Sequence, residues 1–431
     1  MKRNNAPFRP CPGPRRQQGA ATLVVVMLLF FVISLTAAYA SRNLIFEQRT
    51  SANQYHSSQS FEAAEAGLEW AAVMLNSGRL GDDCLPTTDA TRDNFRQRYL
   101  NTNLGTGTVT RKLAASIWAT CSFNGTSWLC SCPTTSLTAS SLPVSGLAFG
   151  VRFVNQASKP GMVRAEVNGC TSFDLACITA VAPGTPANCQ STLCSLLSIH
   201  SGAKSPPIAA VTARGDISGT ALTASNPSPA AGGITLHAGG NITVAAASLS
   251  SAPGTPAELS TRPNDNALVL PADAFDCLEC SFTSVFGLRP DAYRQQPAIV
   301  QVDCTATCNA TAVNNALGAN RGRLVWLKNA GGLTIDSAAD IIGTAADPVV
   351  LVVDGPFTIA ASASTSARVY GLVYAASAAL NAGEIHGALV SAGSVVGSGT
   401  AQVAYEADML KQLRLTTGSF VRIPGAWRDF P

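Results

Sequence analysis

Gln18-Gly19-Ala20-Ala21-Thr22-Leu23-Val24-Val25-Val26-Met27-Leu28-Leu29-Phe30-Phe31 is the stretch whose reading decides the fold. Basic residues precede it, Arg15 and Arg16 nearest, and after Gly19 no charged side chain appears until Arg42. As a helix, Ala20–Ser41 spans roughly 33 Å, enough to cross a bilayer core of about 30 Å. Between Ser41 and Ser77 there is no proline and a single glycine, Gly67. A helix can therefore leave the apolar phase and continue into water without a break. A secretory signal is the competing reading, because Ala38-Tyr39-Ala40 has the A-x-A form of a cleavage site. The apolar run is longer than the usual 7–15-residue signal core, which favours a retained helix.

This arrangement resembles the N-terminus of type IV pilins. The continuation Phe61-Glu62-Ala63-Ala64-Glu65-Ala66-Gly67-Leu68-Glu69 is most similar to minor pilins of the PilX type. The resemblance implies that residues 1–19 are a leader, cut by prepilin peptidase between Gly19 and Ala20. It implies that residues 20–41, with Leu23, Val24, Val25, Met27, Leu28, Phe30 and Phe31, hold the subunit in the bacterial inner membrane as a single pass. The same helix then packs among other major and minor pilins in a pilus at the cell surface. Phe61, Glu62, Ala64 and Glu65 are the stem motif of the soluble half, residues 42–78. Most pilins carry Glu at the fifth mature position; here that position is Val24, and the first mature residue is Ala20 rather than Phe. A buried carboxylate is costly unless paired, so its absence changes how the helix docks. In the family, subunits lacking this Glu are minor ones of the tip or of initiation.

The periodicity of the soluble half agrees. Phe61, Ala64, Leu68, Ala71, Ala72 and Leu75 recur at helical spacing and make one apolar face. Glu62, Glu65 and Glu69 lie on another arc, read as a solvated face. Asn76-Ser77-Gly78 and then Pro86 end the helix.

Roughly 350 residues follow the stem, enough for one large or two smaller domains. Only 13% of the 431 residues are charged and 6% aromatic, which suits a β-rich extracellular architecture. The formal charge of +3 comes from the leader, whose five basic residues have no acidic counterpart. Without them 24 basic residues face 26 acidic ones, a net of −2. No nucleic-acid partner is expected from that balance, and the basic cluster reads as the cytoplasmic flank of the membrane helix.

Cleavage after Gly19 removes Cys11 and leaves twelve cysteines: Cys84, Cys121, Cys130, Cys132, Cys170, Cys177, Cys189, Cys194, Cys277, Cys280, Cys304 and Cys308. An even number beyond a membrane helix reads as periplasmic disulfides, with connectivity left open. Zinc is the rival at Cys277-Leu-Glu-Cys280, but no histidine lies near that pair or near Cys304 and Cys308.

Residues 79–200 read as a disulfide-containing α+β head, with a short helix near Asp93–Leu100 and strands at Leu147–Val154 and Gly161–Val167. Cys121, Cys130 and Cys132 bracket Trp128 in a stretch read as a stapled, turn-rich loop. Residues 201–265 are a Gly/Pro/Ser/Thr-rich β segment and 266–323 a cysteine-containing insertion. In 324–431, Val369–Ala376 aligns with Ile385–Ala392 at an offset of 16, and Gly371 and Gly387 recur at one position. Strands that short must share one core, the mark of a parallel β-solenoid. Tyr405, Leu410 and Leu413 read as a helix capping its open end. The expected fold class is thus α+β: a long N-terminal pilin-like helix, a small β-rich head, and a C-terminal region resembling a parallel β-solenoid.

No phosphate-binding loop or G-x-S-x-G elbow is present. His56, His200, His237 and His386 are widely spaced, and His386 takes the repeat slot of Tyr370, which reads as a structural rung position. Asp336, Asp340, Asp354 and Glu384 fall in or near expected turns, where Asp is commonly a cap. No catalytic residue, metal or cofactor is assigned. The expectation is a non-enzymatic minor pilin whose head contacts a surface, a cell or a host ligand. Two other classes compete: a membrane-tethered periplasmic carbohydrate-active solenoid enzyme, and a tip pseudopilin of type II secretion.

Overall fold

The computed structural model describes residues 18–89, 91–136, 146–156, 159–179, 190–269, 280–304, 308–319, 324–328 and 331–426. Of the expected leader, residues 1–19, the first 17 lie outside them, as do Cys189 and Cys277. Two compact units are present, one ending at Ser58 and one comprising Gln59–Pro431.

One α-helix runs from Gln18 to Met74. Up to Thr50 every residue with a described side chain is exposed. From Gln59 onward the helix is part of the second unit and becomes one-sided. Ala64, Leu68, Ala71 and Leu75 are buried, whereas Glu62, Glu65 and Glu69 face solvent. Asn76 terminates it. Its amide donates to the carbonyls of Ala72 (2.8 Å) and Phe420 (2.9 Å), and its Oδ1 accepts the Phe420 N–H at 2.8 Å. One side chain thereby satisfies groups freed at the helix end and ties them to the last strand of the chain.

The head is a six-stranded antiparallel sheet. Its spatial order is Gly418–Arg422, Gln190–Ser201, Met162–Cys170, Ala148–Asn155, Ala119–Phe123 and Trp128–Ser131. Alternate residues of its central strands (Phe149, Val151 and Phe153; Val163, Ala165 and Val167; Leu193 and Leu197) form one core with the stem face and Phe95. Sheet and helix approach closely at two glycines. A Cβ on Gly67 would strike Val167 Cγ1 and the Phe149 ring, and one on Gly169 would strike the helix backbone at Ser60. The small residues of the Phe61–Leu68 motif thus serve packing.

The rest of the unit is a 17-stranded parallel sheet coiled into a stack resembling a β-solenoid. Three faces can be followed from rung to rung. One runs Thr261–Arg262, Leu236–Ala238, Val211–Ala213, Leu389–Ser391, Val373–Ala375, Leu351–Val353, Leu324–Lys328, Ile299–Asp303. A second begins at Ile242–Val244, passes Ile217–Gly219 and Val395–Gly397, and ends at Cys308–Asn309. The third carries Thr223–Ser225, Gln402–Tyr405, Glu384–Gly387 and Arg368–Gly371. Inward residues such as Val211, Leu236, Leu351, Phe357, Val369, Ile385, Leu389 and Val395 are fully buried and form one continuous core. Val369–Ala375 pairs with Ile385–Ser391 residue for residue, at the 16-residue offset of the sequence repeat.

Four expectations need correction. Residues 266–323 are not an insertion throughout, since Ile299–Asp303 and Cys308–Asn309 are strands of the terminal rung. Among its described residues, Cys280–Arg294 lies beside the stack, where Phe282, Phe286 and Tyr293 cluster on Trp326 and Tyr374. The helix Ala407–Thr416, with Leu410 and Leu413 buried, follows an interior rung and packs on its side, so it is not the cap. Ala310–Ala319 packs across strands of all three faces at the terminal rungs and covers that end; open strand edges need such cover. The head is not complete within 79–200, because Gly418–Arg422 supplies its edge strand. Finally, Cys121 and Cys130 face each other across a hairpin rather than in a loop, because Ala119–Phe123 and Trp128–Ser131 pair antiparallel.

Four disulfides join described residues: Cys84–Cys132, Cys121–Cys130, Cys170–Cys177 and Cys304–Cys308. Cys194 is buried in the head sheet. Chain entropy makes their contributions unequal. The Cys84–Cys132 bridge closes 48 residues, and replacing both cysteines by serine is expected to cost about 4 kcal/mol. The Cys170–Cys177 bridge closes 7, for about 2.5 kcal/mol. Urea midpoints of the two double variants, at unchanged slope, check the order; a larger loss at Cys170–Cys177 would contradict it.

Candidate functional site: the stem surface and the polar faces of the head

The residues expected to act in assembly lie on one continuous helix. Gly19 and Ala20 fall in its first turns. Leu23, Val24, Val25, Met27, Leu28, Phe30 and Phe31 are each between 56% and 71% exposed. Successive helical residues point about 100° apart, so together with the exposed Val26 and Leu29 these side chains leave no wide arc of the helix uncovered. A surface that apolar on all sides has no stable place in water; lipid or other apolar helices must surround it. The helix is long and apolar enough to cross a membrane. Chemically this surface can do one thing, which is to partition and pack. From Ala20 to Ser41, Val24 included, it carries no carboxylate.

The stem motif divides between two roles. Ala64 is buried and Phe61 half-buried against the head, whereas Glu62 and Glu65 are exposed. Glu69, one turn on, pairs with Arg422 of the last strand. Neither Gly67 nor Gly169 was marked by the sequence as a contact; the packed sheet shows why both lack a side chain.

The titratable groups of the head fall into separate clusters. Glu166 is buried between Arg152 and Arg164, each 2.5 Å away, and the Arg152 guanidinium lies over the Trp118 ring. His237 hydrogen-bonds Asp265 at 2.8 Å, and this bond holds the Asp265 carboxyl below its usual range. On the third face, Glu384 Oε2 accepts from Arg368 Nε (3.0 Å) and lies 3.1 Å from His386 Nε2. The His386 ring stacks on Tyr370 of the next rung, centroids 4.9 Å apart. His386 therefore sits in a rung ladder. Glu384 is in a strand rather than a turn, and so is Asp354, at the bulge between Val353 and Pro356. Asp340 does cap a turn, accepting the Ser337 N–H. His56 is exposed in the stem, and His200 lies in the head strand Gln190–Ser201. Among the described residues, no group of three or more His, Cys, Asp and Glu side chains converges as metal ligands would.

Residues 18–69 match the family model described as PilX N-terminal. No curated protein matches the chain. Among solved structures, the chain is similar to the competence-associated pilin ComZ of Thermus thermophilus, with 11% identity and a TM-score of 0.23. That similarity covers 87% of this chain and 97% of ComZ. A glycosylated ice-binding protein, LeIBP, from an Arctic yeast is also similar, at 15% identity and a TM-score of 0.17 over 46% of this chain and 91% of the other. The long apolar helix and the stem motif lie within the matched residues, so over 18–69 the chain is similar to the PilX N-terminal family.

Proposed function

We propose that the protein is a non-enzymatic minor subunit of a type IV pilus. Prepilin peptidase removes residues 1–19, the helix from Ala20 holds the subunit in the inner membrane, and the same helix then packs among other pilins. The head is displayed for contact with a surface, a cell or a host ligand. The observation that carries this reading is an apolar helix with no buried side from Ala21 to Ser41, continuous with a stem whose other half is built into the head. A helix of that kind is a packing element awaiting partners. Val24 supports a place at the tip or in initiation, because a subunit without the fifth-position carboxylate lacks one half of the charge pair that adds subunits along a shaft.

Intact mass spectrometry of protein isolated from a pilus-forming host tests the reading. The expected mature chain begins at Ala20. A chain that begins at Ser41, or one that retains residues 1–19 in a host with active prepilin peptidase, would overturn it.

A further inference from the structure

The hairpin of Ala119–Phe123 and Trp128–Ser131 turns through Asn124-Gly125-Thr126-Ser127, and all four turn residues are exposed. The Asn124 N–H donates to the Ser127 carbonyl at 3.1 Å, and the Cys121–Cys130 disulfide staples the strands behind the turn. Gly125 has a φ of +98° and open space where a Cβ would stand. Three donors converge on the Asn124 side-chain oxygen: the Thr126 N–H at 3.0 Å, the Thr126 hydroxyl at 2.9 Å and the Ser127 N–H at 2.9 Å. The Asn124 Nδ2 and the Gly125 N–H, by contrast, donate to no acceptor among the described residues.

We infer that Asn124 is a self-modification site, where the chain converts its own amide to an acid through a succinimide. The Gly125 nitrogen is the nucleophile. It loses its proton to water and bonds to Asn124 Cγ, while the electron pair of the Cγ–Oδ1 double bond moves onto Oδ1. The three donors already aimed at that oxygen stabilise the charge that develops there. Nucleophile and electrophile are neighbours in one chain, so no bimolecular encounter is needed. The Cγ–Oδ1 double bond then re-forms, and Nδ2 takes a proton from water and leaves as ammonia. A second water opens the ring at either carbonyl and gives aspartate or isoaspartate. One water enters, one ammonia departs, and nothing is oxidised.

The sequence contains one other Asn-Gly step, Asn168-Gly169, and packing shuts it. Asn168 is buried, with its Nδ2 donating to the Ile178 carbonyl at 2.9 Å and its Oδ1 accepting from the Thr192 hydroxyl at 2.9 Å. Gly169 lies in a strand paired on both sides and pressed against the stem backbone at Ser60. Ring closure there would break the ladder. The open site has a consequence for the surface. From Ala119 to Ser131 the hairpin carries no charged residue, and Trp128–Ser131 is the last strand of the sheet, with Trp128 and Leu129 exposed. Conversion sets a carboxylate beside this apolar edge, a charge of the kind that keeps an open strand from pairing with another chain.

The test is incubation of the full-length protein in detergent micelles at mildly alkaline pH. Peptides are read by mass spectrometry with fragmentation that separates aspartate from isoaspartate. Asn124 is expected to give both products, at least tenfold faster than Asn168 in the same sample. In protein reduced and unfolded in guanidinium chloride the two sites should convert at similar rates, which assigns the difference to the fold. Thr126→Val removes the hydroxyl donor and is expected to slow Asn124 at least threefold at an unchanged melting temperature. Gly125→Ala should slow it at least tenfold; should that change disturb the hairpin, Thr126→Val decides. An Asn124 no faster than the folded Asn168, aspartate as the sole product, or an unchanged rate in Thr126→Val would overturn the assignment.

Discussion

Arginine at both Leu29 and Phe30 is expected to remove the protein from the membrane fraction. These residues lie near the middle of the apolar run from Ala20 to Ser41, farthest from either interface, where a long side chain cannot reach water easily. Each arginine at a helix centre costs about 2.5–3.5 kcal/mol, and the lost apolar residue adds a few tenths. The pair therefore weighs about 6 kcal/mol against insertion, a factor of roughly 10⁴ in the partition. Leu29→Val with Phe30→Leu should leave partition unchanged. Alkaline extraction of membranes followed by immunoblotting reads both. The head supplies an internal control, because its disulfide-stapled core does not depend on these side chains, and a protease-resistant fragment of normal size is expected from either variant. If the arginine pair stayed with the membranes, some surface other than this helix would be anchoring the chain.

The second large effect is expected in the stack. Gly371 and Gly387 sit on adjacent rungs with φ of +142° and +133° and are register partners. A Cβ on Gly387 would fall inside contact distance of the Gly371 carbonyl oxygen, and one on Gly371 would meet the Val349 carbonyl. Two penalties then combine: a backbone conformation that L side chains rarely adopt, and a clash with a backbone atom that participates in the ladder. Alanine at either site is expected to cost about 3 kcal/mol or more. Gly254 is the comparison, with φ +86° and open space around its missing Cβ. There alanine meets only the conformational penalty, about 1 kcal/mol. Denaturant unfolding of Gly371→Ala, Gly387→Ala and Gly254→Ala gives the ranking, and equal losses at all three would mean that rung stacking is not what requires the glycines.

Much of this could be read in the chain because the signals are local. The uncharged apolar run from Ala20 to Ser41 gives a helix long and apolar enough to cross a membrane. The 16-residue offset between Val369–Ala376 and Ile385–Ala392 emerges as the pairing register itself, since neighbouring rungs repeat one hydrophobic pattern. What escaped reading is non-local. The rung Glu384–Tyr405 does not end the stack, because the earlier strands Val211–Ala213, Ile217–Gly219 and Thr223–Ser225 dock on it. Contacts such as Ser394 with Asp216 join residues 178 apart. Every rung presents a similar inward row of Val, Leu, Ile and Ala, so the pattern cannot say which open edge meets which.

By itself the sequence determined that the chain carries an apolar rod, that a helical stem continues it, and that short strands come after it in a repeat. Those features depend on side-chain period and on the free energy of moving apolar groups out of water, both properties of neighbouring residues. Only the tertiary structure decided the order of the rungs, the return of Gly418–Arg422 to the head sheet, and the helix that closes the stack. These depend on which hydrogen-bonding edges and surfaces remain open when the chain collapses, and no single stretch encodes that.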